Sequence, residues 1–256
     1  MYSIKKIIYT IWDLLTFKSG RTRKISGFEI RLPLRYARYY NDGYEKDTFE
    51  FFENIVKPND TILDIGAHIG LFSVFFSKKL SEKGKVICFE PTLGTFQILE
   101  ETIKLNKLTN CKSVNAAIAE KSGTLSFNLT SKDGEGSNAN SLVKTERSMN
   151  TTEVKVYSID DFRRKEKLNI DVLKIDVEGY ELNVLLGAKE TFLTDKPSGI
   201  LALHPESIAK LGQSLDQIWD LMQSYNCVIE YHGTPISKTE FCSKELLFDV
   251  EFKCVK

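Results

Sequence analysis

The feature that most constrains the fold is the alternation of short apolar runs with helical segments that begins at residue 61. Runs rich in β-branched and aromatic residues predict strands, and the segments between them have helical spacing. This order is typical of an α/β fold in which helices cover both faces of a mostly parallel sheet. Strands are predicted at residues 61–65, 85–90, 112–116, 172–177, 199–204, 227–231 and 246–255, and helices near 71–80, 92–106, 181–188 and 215–225.

The end of the chain and a long insert refine this doubly wound architecture. The last predicted strand follows its predecessor through a turn-rich stretch with no room for a helix, so we expect it to pair antiparallel. Two further strands, at residues 124–130 and 153–159, flank a polar insert at residues 131–150. Loops longer than about fifteen residues are uncommon in compact domains and are often binding loops. The insert is a candidate substrate lid, with a mobile hairpin tip as the alternative.

The first 43 residues are predicted to form an extension that precedes one catalytic domain at residues 44–256. Within residues 4–15 the apolar positions fall on one helical face, which predicts an amphipathic helix too short to span a bilayer. We favour a helix that docks on its own domain or on a second copy in a homo-oligomer. Peripheral contact with a membrane surface is the alternative, which the basic stretch at residues 18–24 supports.

Charge and cysteine usage exclude some classes of partner. Lys and Arg together number 35, as do Asp and Glu, so no overall field attracts nucleic acid. The cysteines are odd in number and scattered, without the close spacing of zinc or dithiol sites. This usage favours a reduced, cytoplasmic protein with buried thiols. The cysteines are Cys88, Cys111, Cys227, Cys242 and Cys254.

The segment at residues 61–70 predicts a nucleoside-binding turn. An apolar strand ends in Asp64 and continues through Gly66 and Gly70 into a helix. The first glycine allows close approach of the backbone to a ligand, and the second lets the helix pack on the strand. A turn without a ligand would explain the glycines, but not the acid at the end of a buried strand. The next strand ends in Glu90, whose carboxylate can accept two hydrogen bonds from a ribose.

Two features of this turn favour S-adenosylmethionine over a nicotinamide dinucleotide. Dinucleotide turns carry G-x-G-x-x-G so that a helix N-terminus approaches the pyrophosphate, whereas His68 occupies the position of the middle glycine. Asp64 would repel a pyrophosphate but suits the ammonium group of a methionine moiety. A nicotinamide-dependent dehydrogenase is the alternative from a different class of enzyme.

Four segments resemble the FkbM-type family of class I S-adenosylmethionine-dependent methyltransferases. They are DTILDIGAHIGLFS at 60–73, CFEP at 88–91, NAAIAEKSGTL at 115–125 and VLKIDVEGYELNVLLGA at 172–188. With the lead-in at 44–52 and HPE at 204–206, the resemblance covers most of residues 44–206. It implies a Rossmann-like sheet of seven strands with the last antiparallel, and methyl transfer, usually to a hydroxyl of a sugar or a polyketide-like metabolite.

The resemblance also assigns cofactor contacts. It implies that Asp64, Gly66 and Gly70 line the methionine end, that Glu90 holds the ribose, and that Asn115 and Ala116 lie near the adenine. His68 stands where the family usually has Asn. Because both residue types tolerate unusual backbone angles, the turn is expected to keep its conformation.

The candidate catalytic residues follow the fourth and fifth predicted strands, where open α/β sheets bind ligands. Asp176 is our first choice for the base that accepts the hydroxyl proton, Glu178 is the second, and His204 is a partner base. We expect Glu181 to cap the following helix. Structural roles are the alternative: the acids satisfy turn donors, Lys174 neutralises them, and His204 is a hydrogen-bonded strand-end residue.

The same three residues, Asp176, Glu178 and His204, could also bind a divalent cation, although their spacing matches no dedicated metal motif. The leading hypothesis is an O-methyltransferase that acts on a hydroxyl of a sugar, glycan or related small metabolite. Methylation of nucleic acid is the alternative within the same chemistry, which the absence of a basic stripe disfavours.

Overall fold

The computed structural model describes residues 19–130, 140–146 and 148–255. The predicted amphipathic helix at residues 4–15 lies outside these ranges, as do residues 131–139 and 147 of the candidate lid at residues 131–150. No helix within the described ranges is long and apolar enough to cross a bilayer.

The elements follow the predicted alternation, with a hairpin and two helices before it. In chain order the strands are β1 (Arg21–Ile25), β2 (Phe28–Leu32), β3 (Thr61–Ile65), β4 (Lys85–Phe89), β5 (Cys111–Val114), β6 (Ala117–Ile118), β7 (Gly123–Leu129), β8 (Asn150–Tyr157), β9 (Val172–Ile175), β10 (Ser198–Leu203), β11 (Cys227–Tyr231), β12 (Thr234–Pro235) and β13 (Phe248–Cys254). The helices are α1 (Leu34–Ala37), α2 (Lys46–Ile55), α3 (Leu71–Lys79), α4 (Leu93–Leu105), α5 (Ile159–Glu166), α6 (Glu181–Leu186), α7 (Lys189–Thr194), α8 (Pro205–Lys210), α9 (Leu215–Ser224) and α10 (Lys238–Cys242).

The main sheet has the strand order β12-β11-β13-β10-β9-β3-β4-β5. Strands β5, β4, β3, β9 and β10 are parallel neighbours, and β13 pairs antiparallel with both β10 and β11. The mostly parallel α/β sheet with an antiparallel last strand is therefore confirmed. The count of seven strands is wrong for the described residues, because the short strand β12 adds an eighth. The turn-rich stretch before β13 also has room for the short helix α10.

Two apolar layers cover the main sheet, as a parallel sheet buried on both faces requires. One layer contains helices α2 and α3, whose aromatic rings interlock: Phe49 stacks on Phe72 at 4.4 Å between ring centroids, and Phe52 meets Phe76 edge to face at 4.8 Å. Each of these side chains is almost fully buried, and burial of one such ring contributes about 2 kcal/mol. Packing against α3 therefore fixes helix α2 beside the carboxyl edge of the sheet.

The strands predicted on either side of the insert form a separate small sheet. Its order is β6-β8-β7, with β7 and β8 antiparallel. Asn128 of β7 also pairs with Ser141, the second described residue after the insert's first gap. The residues on both sides of the insert's first gap therefore lie at this sheet.

The cysteines depart from the sequence-based expectation. Cys227 and Cys254 form a disulfide between the adjacent strands β11 and β13, where the two residues are direct partners in the register. The expectation of scattered, unpaired thiols was wrong for this pair because the strand register joins positions 27 residues apart. Cys88 and Cys111 are free thiols whose sulfur atoms lie 3.6 Å apart across β4 and β5.

Gly199 tests the packing at the centre of the sheet. A Cβ atom at this position would lie 1.9 Å from the carbonyl oxygen of Leu173 and 2.9 Å from Phe252 Cζ. We predict that Gly199→Ala lowers the free energy of unfolding by about 3 kcal/mol, because backbone must move to relieve the contact. Urea unfolding of the variant and the wild type measures this difference in free energy. Gly43→Ala is the control, since its nearest contact is at 3.7 Å; equal stability of the two variants would contradict the prediction.

Candidate functional site

The turn after β3 is fixed by backbone contacts with the two neighbouring strands. The N–H groups of Gly66 and Ala67 both donate to the carbonyl of Phe89, at 3.1 and 2.9 Å. Gly66 has φ +78°, and a Cβ atom there would lie 1.8 Å from the carbonyl oxygen of Asp176. Only glycine fits this close approach. His68 has φ +50°, which confirms that the turn accommodates histidine at this position.

A cavity lies at the carboxyl ends of β3, β4, β9 and β10. The sequence-predicted residues on its wall are Gly66, His68, Glu90, Ala116, Asp176, Glu178 and His204. Three other predicted residues, Asp64, Gly70 and Asn115, are absent from the described wall and act behind it. Gly70 begins helix α3 with φ +91°.

Glu90 presents a buried carboxylate to this cavity. Its Oε1 atom accepts a hydrogen bond from the backbone N–H of Thr92 at 2.8 Å. Burial is the largest effect on Glu90 and raises its pKa to about 7. Hydrogen bonds with Thr92 and with the His68 backbone lower the pKa by less, and the like charge of Asp64 raises it slightly. The Asn115 amide donates to the backbone carbonyls of Glu90 and Pro91, at 2.9 and 3.0 Å. Asn115 therefore supports the segment that carries the carboxylate.

Asp64 lies beneath the turn and is fully buried. Its Oδ2 atom accepts a hydrogen bond from the Ser73 hydroxyl at 2.6 Å, and its Oδ1 atom has no hydrogen-bond partner among the described atoms. Burial raises the pKa of Asp64, while the nearby Lys174 ammonium lowers it. Because Asp64 and Lys174 are direct partners in the register of β3 and β9, their side chains share one face of the sheet.

Asp176, Glu178 and His204 come together on the cavity wall, as the sequence predicted. The His204 Nε2 atom lies 3.4 Å from Glu178 Oε2 and 3.9 Å from Asp176 Oδ1. Strand β9 ends one residue before Asp176, and Glu178 has φ +56°, so the chain turns rather than continuing as a strand. His204 does not belong to the strand either, since β10 ends at Leu203.

Glu181 has a different place from the helix cap that we expected. Its fully buried Oε1 atom lies 2.8 Å from His204 Nδ1 and also accepts a hydrogen bond from the Gly179 N–H at 2.8 Å. This contact turns the opposite ring nitrogen toward Asp176 and Glu178. Ser141 adds support from outside, because its hydroxyl donates to the carbonyl of Glu178 at 2.9 Å.

The charges of the cluster compensate one another. Burial disfavours a charged His204, but hydrogen bonds with Glu178 and Glu181 outweigh it and raise the pKa of His204 to about 10. The buried Lys174 ammonium donates to Asp176 Oδ2 at 3.2 Å. Burial alone would raise the pKa of Asp176, yet Lys174 and His204 reverse that effect and hold it below its usual value.

Sequence reasoning missed part of the cavity. The segment before helix α2, helix α2 itself and strand β13 bring further polar and aromatic groups to the wall. These residues are Tyr40, Tyr44, Glu45, Thr48 and Asp249. The only signal in the sequence was Asp249 in the last strand, at a position that alternates with the apolar residues Phe248 and Val250, and that pattern does not identify a cavity.

The residues present fit S-adenosylmethionine. The cradle at Gly66 admits a ligand close to the backbone, and the Glu90 carboxylate can accept hydrogen bonds from ribose hydroxyls. The unpartnered Oδ1 atom of Asp64 and the carboxylates of Asp176 and Glu178 give the region an acidic character that suits a cationic ligand.

Known proteins match this chain along most of its length. It is 28% identical over 232 residues to the 2-O-methyltransferase NoeI of Sinorhizobium fredii, covering 83% of this chain and 93% of that protein. It is 27% identical over 195 residues to the hexuronic acid methyltransferase AglP of Haloferax volcanii, covering 72% and 77%. The match to the methyltransferase sdnD of Sordaria araneosa, 28% identical, covers 52% of this chain and 61% of that protein.

A solved S-adenosylmethionine-dependent methyltransferase from Aquifex aeolicus superposes with a TM-score of 0.46 at 13% identity, covering 82% of this chain and 90% of that one. The family model and the curated relatives define the class: the protein is an enzyme that transfers methyl groups. More narrowly, the chain belongs to the FkbM methyltransferase domain family, whose sequence model matches residues 64–229. The dehydrogenase alternative is therefore discarded.

Glu90 generates a prediction about pH. A carboxylate must be ionised to accept two hydroxyl donors, and the pKa of Glu90 lies at about 7. We predict that affinity for S-adenosylmethionine is highest above pH 7, where Glu90 is ionised, and falls by about tenfold in total as the pH drops below 7 and Glu90 becomes protonated. Calorimetry between pH 5.5 and 8.5 measures this.

Two variants sharpen the measurement. Glu90→Gln is expected to bind the cofactor about tenfold more weakly and with a flat pH profile. The exposed Glu82→Gln is the control and should behave as the wild type. A flat profile in the wild type would remove Glu90 from the ribose contact.

Proposed function

We propose that the protein is an O-methyltransferase that acts on a hydroxyl group of a sugar, glycan or related small metabolite. The observation that carries the proposal is the position of Asp176: its backbone contacts the cofactor turn, and its carboxylate lies on the wall of the same cavity. A hydroxyl bound beside Asp176 would therefore lie next to the methyl donor.

The names of two relatives support the choice of acceptor. One is a 2-O-methyltransferase and the other a hexuronic acid methyltransferase. The first name states methylation at an oxygen, and the second names a sugar acid as the acceptor. We therefore propose a small-molecule or glycan acceptor rather than nucleic acid, in agreement with the balanced charge of the chain.

Asp176 is the proposed proton acceptor. Methyl transfer from sulfonium to oxygen is an in-line displacement, so alignment of donor and acceptor supplies much of the rate. As the new carbon–oxygen bond forms, the hydroxyl proton becomes strongly acidic, and even a carboxylate of low pKa can accept it. Lys174 fixes one Asp176 oxygen, which leaves Oδ1 for the hydroxyl.

His204 is proposed to position the carboxylates. With a pKa of about 10 its ring is a cation at neutral pH and donates to Glu178 and Glu181. A protonated ring cannot serve as the base. Asp176, with Glu178 as the second choice, is therefore the better candidate for that role.

The same cluster also fits a divalent cation. One ligand atom from each of Asp176, Glu178 and His204 lies within 4.8 Å of the others. Neighbouring ligands of one octahedral cation are about 3 Å apart, so small side-chain movements would bring the ligand atoms together. Only the neutral imidazole ligates a metal, so a bound cation would also displace the proton from His204 Nε2. Glu181 on the opposite ring nitrogen resembles the carboxylate–histidine pairs that support metal ligands. A bound cation would acidify the acceptor hydroxyl.

We predict that Asp176→Asn lowers the affinity for S-adenosylmethionine only slightly, because Asp64 and Glu178 keep the region acidic, but lowers turnover by about 100-fold or more, because general-base catalysis is lost. Mass spectrometry for a gain of about 14 Da, the mass of a methylene added by methyl transfer, in a panel of glycosides and nucleotide sugars measures turnover.

The control is Asp220→Asn, since Asp220 contacts Lys238 on the far surface. It should retain full turnover. Methylation of RNA but of no saccharide would contradict the proposed acceptor, and an Asp176→Asn enzyme with full turnover would remove Asp176 from the chemistry.

The cation is tested by direct binding. We predict that the cofactor-loaded protein binds one equivalent of Mn²⁺, observed by electron paramagnetic resonance, and that Glu178→Gln abolishes this binding. The exposed Glu190→Gln should bind Mn²⁺ as the wild type does. Two results together would contradict this prediction: full methyl transfer by enzyme treated with EDTA, and no binding of Mn²⁺ to the protein. The protonated ring of His204 would then balance the carboxylates without a metal ion.

A further inference from the structure

A second part of the cavity lies beyond Asp176, away from the cofactor turn. Its floor is formed by Ile200 and Ala202 of β10. Asp249 of β13 is the direct register partner of Ala202, so its side chain rises beside a small residue and borders open space. The Thr48 hydroxyl of α2 donates to Asp249 Oδ2 at 3.2 Å and fixes one of its oxygens.

The opposite wall comes from the segment that precedes α2. Tyr40 and Tyr44 line the cavity with rings at 85° and 5.0 Å between centroids. Glu45 follows in the left-handed conformation, φ +46°, and begins helix α2. Its carboxylate lies on the cavity wall with the two rings.

Among the described residues, Glu45 and Asp249 have no cation of their own in this part of the cavity. The nearby Lys174 ammonium lowers the pKa of both acids, but its hydrogen bond goes to Asp176. The basic groups on the described wall are Lys174 and the histidines His68 and His204. Lys174 donates to Asp176, and its side chain is 7% exposed, while His204 contacts Glu178 and Glu181. No arginine lies on the described wall.

From this arrangement we infer that Glu45 and Asp249 form the acceptor subsite and select an uncharged pyranoside, holding its hydroxyls while Tyr40 and Tyr44 cover the ring. The inference rests on the proposed function and narrows it. Each carboxylate can accept hydrogen bonds from two neighbouring hydroxyls. Pockets for small ligands commonly combine aromatic walls with a few such polar groups.

The same charges exclude an anionic ring near the reacting hydroxyl. A carboxylate or phosphate there would face Glu45, Asp176 and Asp249, while Lys174 and His204 are already engaged with acids of the chain. Burial raises the pKa of both Glu45 and Asp249, as expected for acids that lack a full counter-charge. This protein therefore differs from its hexuronic acid relative in the acceptor that it binds.

Paired ligands test the inference without requiring turnover. Protein saturated with S-adenosylhomocysteine is titrated with methyl hexopyranosides and with the matching methyl hexuronosides, which differ only by a carboxylate in place of the hydroxymethyl group. Saturation-transfer NMR reports binding. We expect at least one neutral ring to bind about tenfold or more tightly than its uronoside partner.

Variants identify the residues responsible. Glu45→Gln and Asp249→Asn should each raise the Kd of the neutral ring about five- to tenfold, leave the Kd of S-adenosylhomocysteine unchanged, and reduce the discrimination against the uronoside. Glu50→Gln is the matched control, because Glu50 lies on the same helix, 62% exposed beside Lys46. It should bind as the wild type.

The outcomes separate this inference from the proposed function. Equal or tighter binding of the uronoside, no binding of any neutral ring, or wild-type Kd values in both variants would overturn it. Because the wild-type comparison uses paired ligands, the test does not depend on the folding of any variant. Sugar binding without methyl transfer would instead overturn the proposed function and leave the subsite in place.

Discussion

The site depends on one buried ammonium group. Lys174 stands in a central strand, 5% exposed, and its Nζ atom lies 5.2 Å from the centre of the Phe72 ring. Burial would lower its pKa, but Asp176, Asp64 and Glu45 raise it. Removing one partner from a buried ion pair typically costs about 3–5 kcal/mol. Lys174 therefore allows three acids to lie close together: Asp64 under the turn after β3, Asp176 as the proposed base, and Glu45 in the proposed acceptor subsite.

The sequence predicted those parts of the site that depend only on which residues directly follow each parallel strand. Asp176 and Glu178 follow one strand and His204 follows the next, and parallel neighbours deliver their ends to the same edge of the sheet. The turn at Gly66 was equally visible, because a glycine directly after a buried strand indicates a tight turn or a close backbone approach. The family resemblance reinforced both, and the family match confirms the class of enzyme.

Other parts depend on tertiary packing and could not be predicted. Asp249 reaches the cavity because β13 inserts between β10 and β11, and Glu45 because the aromatic rings of α2 pack on α3. The Cys227–Cys254 bond likewise follows from strand register rather than from spacing. Asp64 illustrates the opposite case: the sequence identified it, but it lies behind the wall and acts through charge and through its contact with Ser73.

Ser141 links the accessory sheet to the reacting centre. Its backbone pairs with Asn128 of β7 in both directions, at 2.7 and 3.0 Å, while its hydroxyl reaches the carbonyl of Glu178. Ser141 therefore connects the small sheet to the turn that bears Glu178, and a displacement of this sheet would move that turn.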